Sequence, residues 1–98
     1  MGRIYRGQSA LRISARTFVD LEGILSCEIR FTKPDGSAGG FPAGVRDSLA
    51  GIIGHELVGG ELDQGGWWTF WASVTFADGR SASGEADRLF VWEEGTAP

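Results

Sequence analysis

Residues 67–76 read WWTFWASVTF, and this stretch carries the strongest structural signal in the chain. Its side chains alternate between two sets, one wholly apolar and one mixed. The apolar set is Trp68, Phe70, Ala72, Val74 and Phe76, and the mixed set is Trp67, Thr69, Trp71, Ser73 and Thr75. A period of two is typical of a β-strand that buries one face. We therefore predict a long strand with the apolar set in the core and the mixed set on the outer face.

The segment after this strand predicts a hairpin. Asp78-Gly79 is typical of a two-residue type I′ turn, which needs φ > 0 at both central residues. A returning strand is expected over residues 80–92, with Leu89 and Val91 on the buried face. The two strands would then form one long antiparallel pair.

Asp87 is the residue that conflicts with this hairpin. Counting back from a two-residue turn places Asp87 opposite Phe70, on the buried face. An unpaired carboxylate is unfavourable in an apolar core because it loses its hydration. We therefore predict either a bulge near Gly84, which shifts the register, or a position for Asp87 at the rim of the core.

The segments before residue 67 extend the β pattern. Alternating stretches occupy residues 11–16 and 27–32, and a further strand is expected within residues 52–62. Residues 34–37, Pro-Asp-Gly-Ser, predict a turn. Pro42 restricts its own segment to the edge of a sheet, because proline has no backbone N–H to donate to a neighbouring strand. These signals predict one all-β domain over residues 1–98, a sandwich or barrel, with residues 93–98 as a polar tail.

Composition restricts the chemistry that this domain can perform. Cys27 is the only cysteine and His55 the only histidine, so an intramolecular disulfide and the usual Cys/His zinc sites are excluded. We predict that Cys27 is a small buried apolar residue and that His55 packs in or beside the core. No nucleophile, base and orienting group stand out together. We expect no catalytic residue, no metal and no cofactor.

Charge and hydropathy restrict the partners and the location. The net charge is −4 and the nine Lys and Arg residues are scattered. Nucleic-acid binding needs a clustered basic face, so we do not expect it. No apolar run approaches the ~20 residues that span a bilayer. Residues 1–7 lack the apolar core of a signal peptide. We expect synthesis in the cytoplasm and no membrane association.

Four large aromatic residues have the parity of the outer face. They are Trp67, Trp71, Phe90 and Trp92. Neighbouring strands that carry such side chains outward form an exposed apolar patch of the kind that marks a partner surface. In the alternative interpretation the aromatics pack across strands, under a loop or against another sheet. The four residues are therefore the candidate interaction face.

A series of short motifs follows in order along nearly the whole chain. They are the turns at residues 20–23 (Asp-Leu-Glu-Gly) and 33–37 (Lys-Pro-Asp-Gly-Ser), the strand start at 51–53 (Gly-Ile-Ile), the glycine–aromatic corner at 65–68, the turn at 78–80 (Asp-Gly-Arg) and the final strand at 90–92 (Phe-Val-Trp). In this order they resemble the small immunoglobulin-like proteins of tailed bacteriophages and prophages, such as the N-terminal domain of baseplate upper proteins. The resemblance implies an immunoglobulin-like antiparallel β-sandwich of about seven strands, in which an aromatic residue anchors the corner before a long strand. Here that residue is Trp67 or Trp68.

Two functional hypotheses follow. The resemblance implies a non-enzymatic structural module that docks to other phage proteins in the virion or tail, with no catalytic residues to carry over. The alternative is a carbohydrate-binding module in which Trp67, Trp71 and Trp92 stack on the faces of a glycan. The second hypothesis requires that these tryptophans be exposed and roughly coplanar.

Overall fold

The computed structural model describes residues 4–7 and 11–93. These residues form nine β-strands and no helix, which confirms the all-β prediction. The strands are β1 (Ile4–Tyr5), β2 (Arg12–Arg16), β3 (Ile24–Thr32), β4 (Ala38–Pro42), β5 (Gly44–Asp47), β6 (Ile52–Glu56), β7 (Gly66–Phe76), β8 (Ser81–Ser83) and β9 (Asp87–Trp92). Of the predicted polar tail, only Glu93 lies within the described residues.

The strands form two sheets that pack as a β-sandwich. The larger sheet has the order β1-β9-β7-β3-β4, with β8 also paired to β7, and the smaller sheet has the order β2-β6-β5. All pairs are antiparallel except β1 and β9, which are parallel. The prediction of a purely antiparallel sandwich is wrong at this pair. Because β1 and β9 are far apart in the chain, no hairpin fixes their relative direction.

The core lies between the two sheets and confirms the assignment of the two faces of β7. Trp68, Ala72 and Val74 are fully buried or nearly so, and Phe70 is buried with them. Trp67 on the opposite face is 50% exposed. The other buried apolar residues come from both sheets and their loops; they are Leu21, Ile29, Phe31, Phe41, Ile53, Leu57, Leu62 and Val91.

The hairpin after β7 forms, but its turn differs from the prediction. The Phe76 N–H donates to the Arg80 carbonyl at 2.7 Å, so three residues connect the strands. Only Gly79 among them has a positive φ, +92°. The type I′ prediction is therefore wrong. A three-residue loop matches the twist of the strands with a single glycine of positive φ, so Asp78 keeps a negative φ.

Of the two alternatives predicted for Asp87, the rim position is the one observed: an extra residue does lie near Gly84, but Asp87 still pairs with Phe70 and is exposed. Val74 pairs with Ala82 in β8, whereas Phe70 pairs with Asp87 in β9. Five steps along the returning chain thus match four steps along β7, so one extra residue lies between β8 and β9. It offsets the extra residue of the three-residue turn and leaves Asp87 opposite Phe70. Asp87 is exposed, and its carboxylate accepts the N–H of Arg88 at 2.9 Å. Its charge therefore stays hydrated.

The prediction for Pro42 agrees with the structure, and the prediction that Cys27 is buried agrees in part. Pro42 ends β4, which is an edge strand of the larger sheet. An edge position is expected because proline has no backbone N–H to donate to a second neighbouring strand. Cys27 in β3 is half-buried against the core, and its S–H donates to the Ala43 carbonyl at 3.1 Å. Burial raises the pKa of the Cys27 thiol, so its environment does not favour the reactive thiolate.

Candidate functional site

The corner before β7 fixes which tryptophan points inward. The indole N–H of Trp68 donates to the carbonyl of Gln64 at 3.0 Å. Its ring stacks on Phe70 at a centroid distance of 5.8 Å and contacts Phe31 at 5.3 Å. Trp68 therefore anchors this corner, and strand alternation turns Trp67 to the outer face.

Three of the four predicted interaction residues meet on this outer face. Trp67 and Phe90 are direct cross-strand partners, with ring centroids 5.1 Å apart and planes at 75°. Phe90 contacts Trp92 on the same strand at 4.9 Å and 70°. Phe90 and Trp92 are half-buried, whereas Trp67 is half exposed. We name Trp67, Phe90 and Trp92 the aromatic cluster.

Trp71 lies on the same face but away from the cluster. It is half-buried and pairs across the sheet with Arg30 of β3. It lies four residue steps along β7 from Trp67, or about 13 Å. Within residues 4–7 and 11–93, its indole makes no aromatic contact. The structure therefore joins three of the predicted residues and leaves Trp71 apart.

Arg88 adds a positive charge to the aromatic cluster. Its guanidinium carbon lies 4.3 Å from the Trp67 ring centroid, a cation–π contact. The described residues place no carboxylate within salt-bridge distance of Arg88. Sequence reasoning placed Arg88 only among the scattered basic residues. Its parity with Phe90 and Trp92 is the signal that could have located it.

Tyr5 also belongs to this face, and sequence reasoning missed it. In the parallel pair of β1 and β9, Tyr5 is the register partner of Trp92, while Ile4 pairs with the buried Val91. Paired residues share a face, so Tyr5 extends the outer aromatic surface by one strand. A strand of two residues is too short to show a period of two, and no sequence signal could have placed Tyr5 there.

Hydrogen bonds and an ion pair fasten the loops beside the aromatic cluster. Lys33 bonds to Asp63 at 2.9 Å, which ties the β3–β4 turn to the loop before β7. The Gln64 amide donates to Asp35 at 2.8 Å and strengthens the same connection. Glu93 accepts the N–H of Gly65 at 3.1 Å at the end of β9. The corner that presents Trp67 is therefore held from several directions.

Asp35 provides a pH-dependent prediction for this end of the sandwich. Its carboxylate accepts the Ser37 hydroxyl at 2.6 Å and the Ser37 N–H at 2.8 Å; these bonds, with the one from Gln64, lower the pKa of Asp35 to about 2. A lowered pKa in the folded state means that the ionised form stabilises the fold. This contribution is present above pH ~4 and is lost as the pH falls towards 2.

We expect an NMR titration of the Asp35 carboxyl carbon to give a pKa of about 2. Ser37→Ala removes the hydroxyl donor but keeps the backbone donor. The variant should therefore raise this pKa part of the way to the ordinary value of 3.8. A wild-type Asp35 that titrates at its ordinary value would contradict the hydrogen-bond assignment.

His55 and Glu61 form a second polar pair, which involves the loop before β7. His55 Nε2 lies 2.8 Å from Glu61, and the imidazole stacks on Phe41 at 4.8 Å. Burial raises the pKa of Glu61, but hydrogen bonds from the Val58 N–H and from His55 outweigh it, and the net pKa is below the usual value. The His55 contact joins β6 to the loop that follows it, and the Val58 contact lies within that loop. The pair therefore has an evident structural role.

The chain has no match among known proteins that would assign this site: no family model, no curated protein and no solved structure matches it. Within the described part of the chain, no three His, Cys, Asp or Glu side chains converge as a metal site. The same residues contain no helix long and apolar enough to cross a membrane.

Proposed function

We propose that this protein is a non-enzymatic interaction module that docks another protein on the outer face of its larger sheet. The observation that carries the proposal is the aromatic cluster with Arg88. Tryptophan, tyrosine and arginine are the residue types that contribute most to protein–protein binding energy. Here Trp67 is half exposed and lies under a guanidinium, on a face formed by the paired strands β7 and β9.

The proposal includes an immunoglobulin-like fold. In variable-type immunoglobulin domains, a sheet built on strands G, F and C, extended by C′, packs on a sheet containing B, E and D. The orders β9-β7-β3-β4 and β2-β6-β5 correspond to G-F-C-C′ and B-E-D. The Trp68 indole, bonded to Gln64 upstream, occupies the place of the corner tyrosine that bonds back to the backbone. These correspondences support the assignment.

A place in the tail or baseplate of a bacteriophage or prophage is part of the same proposal, with incorporation into the virion as its consequence. Its support is the ordered series of motifs that resemble the phage immunoglobulin-like proteins. The turns of that series at residues 20–23, 33–37 and 78–80 connect strands of the sandwich. The partner would be another structural subunit of the particle.

The ring geometry favours a protein partner over a glycan. Sugar stacking needs an open and flat aromatic face, whereas Phe90 stands edge-to-face to both Trp67 and Trp92, at 75° and 70°. Arg88 covers one face of the Trp67 indole. Such a packed and partly charged surface suits a shaped protein interface with an aromatic anchor.

The experiment is a binding series against the proteins encoded by neighbouring genes, each purified and titrated by calorimetry. We expect at least one to bind the wild-type protein. Trp67→Ser should weaken that complex at least about tenfold, because an anchoring tryptophan contributes about 2 kcal/mol or more.

Leu49→Ser is the matched control, since Leu49 is 82% exposed in a turn and lies outside the aromatic cluster. This variant should bind as the wild type does. Equal loss in both variants would contradict docking at the aromatic cluster, as would the absence of any bound neighbour. A glycan array that gives a Trp67-dependent signal, with no protein partner, would favour the carbohydrate-binding alternative.

A further inference from the structure

Among residues 4–7 and 11–93, the outer edge of β2 is unpaired. β2 is a terminal strand of the smaller sheet, and no strand of the described chain pairs with this edge. The Leu57 N–H donates to Leu11, and the Thr17 N–H donates to Gly51, so odd-numbered residues of this segment point their backbone groups at β6. In an antiparallel ladder these groups alternate in direction. Those of Arg12 and Ser14, and the Arg16 N–H, therefore point outward.

A slot of mixed polarity runs beside this edge, between the two sheets; Asp87 lines both of its cavities, Arg88 lines the first and Glu85 the second. One cavity of about 220 Å³ is lined by Leu11, Ile13, Phe70 and Leu89 among others. A second cavity of about 410 Å³ continues along Ala15 and also contacts Phe70. The slot ends at Arg16, because the backbone of Gly84 lies directly against the Arg16 carbonyl oxygen there. The contact is so close that a Cβ on residue 84 would overlap this oxygen.

The mouth of the slot carries a strained aromatic residue. Phe18 lines the second cavity, is 66% exposed and has φ +63°; it is the only residue other than glycine with positive φ in the described ranges. A bulky residue in this conformation costs of order 1–3 kcal/mol, and such strain concentrates at ligand clamps and switch regions.

The charges along β2 oppose pairing with a second copy. In an antiparallel dimer centred on Ser14, Arg12 of one copy would face Arg16 of the other, and like charges directly opposite are destabilising. Arg12 already bonds to Glu56 at 2.7 Å. Arg16 has no carboxylate partner in the part of the chain that the structure describes, and its guanidinium lies over Phe18. An incoming acidic residue would complement it.

We propose that the edge of β2 accepts an extended segment of another protein, which pairs with residues 12–16 as an added strand. Apolar residues of that segment would alternate into the slot beside Ile13 and Ala15. Acidic residues would alternate outward, opposite Arg12 and Arg16. Backbone hydrogen bonds supply the affinity in this mode of recognition, and alternate side chains supply the specificity. The inference is independent of docking at the aromatic cluster.

The test uses the synthetic peptide acetyl-EVEVEVE-amide, added to the ¹⁵N-labelled chain, with acetyl-KVKVKVK-amide as the control. We expect saturable amide shifts centred on Arg12, Ser14 and Arg16, and slower hydrogen exchange of the Ser14 N–H. The lysine peptide should bind at least about fivefold more weakly because it places like charge opposite Arg16. Equal binding of the two peptides would overturn the proposal, and so would shifts centred on β4 or β5.

Two variants separate strand addition from adhesion to apolar surface. Ser14→Pro removes an N–H that points outward, so the ladder to β6 persists while peptide binding is lost. Arg16→Glu leaves the backbone intact and should reverse the preference towards the lysine peptide, which keeps the test decisive if the proline variant fails to fold. Trp67→Ser should bind the glutamate peptide as the wild type does. No binding at millimolar peptide would also overturn the proposal.

Discussion

Trp68→Ala is expected to destabilise the protein by about 3–5 kcal/mol, the usual cost of truncating a buried tryptophan. Trp68 is fully buried and contacts Phe31 and Phe70. The substitution leaves a large cavity in the core and removes the donor to the Gln64 carbonyl. A domain of this size has a free energy of unfolding of about 5–15 kcal/mol. The midpoint of urea unfolding should therefore fall sharply.

Two variants divide this loss into its parts. Trp68→Phe keeps most of the apolar volume but leaves the Gln64 carbonyl without the indole, so its cost should be intermediate, about 1–3 kcal/mol. Trp67→Ala, on the exposed face of the same strand, should cost about 1 kcal/mol or less. Similar losses for Trp67→Ala and Trp68→Ala would show that the two faces of β7 are assigned incorrectly.

Gly51→Ala is expected to cost about 3 kcal/mol or more, although it adds a single methyl group. Gly51 has φ +74°, which strains any residue with a Cβ. A Cβ there would also overlap the Val19 carbonyl oxygen and lie 2.5 Å from Thr17 Oγ1. The Gly51 carbonyl accepts the Thr17 N–H and hydroxyl, so displacing it breaks the buried connection between β2 and the turn before β6.

Gly36→Ala isolates the conformational part of this cost. Gly36 has φ +88°, and a Cβ there meets no atom within 4 Å. Its replacement should cost about 1–2 kcal/mol, the backbone penalty alone. The difference between the two variants, measured by denaturant unfolding, then reports the steric overlap at Gly51. If the two variants lose the same free energy of unfolding, the segment around Val19 moves to accommodate the methyl group without cost.

The parts of the fold that follow from a period of two were predictable from sequence. The faces of residues 67–76 and the edge position of Pro42 depend on local geometry, and both predictions are confirmed. The Asp87 conflict indicated that this carboxylate must stay hydrated, because an unpaired carboxylate is too costly to bury, and Asp87 is exposed although it pairs with Phe70. The turn type was not predictable from Asp78-Gly79, since the same dipeptide suits loops of two and of three residues.

The candidate site was predictable only in part, because it depends on which strands are neighbours. Trp67 and Phe90 could be paired by counting across the hairpin, and the structure places them in contact. Trp71 shares their parity, but its position along β7 separates it from the cluster. Tyr5 joins the face through a parallel pairing between distant parts of the chain, which no local pattern encodes.

The central claim, docking through Trp67, is tested most directly by the four indole N–H signals in a ¹⁵N spectrum with a soluble gadolinium chelate, recorded free and with the bound partner. In the free protein we expect strong attenuation for Trp67 and none for the buried Trp68. In the complex, the Trp67 signal should become protected while Trp68 stays unchanged. A Trp67 signal that remains as strongly attenuated in the complex as in the free protein would contradict docking on this face.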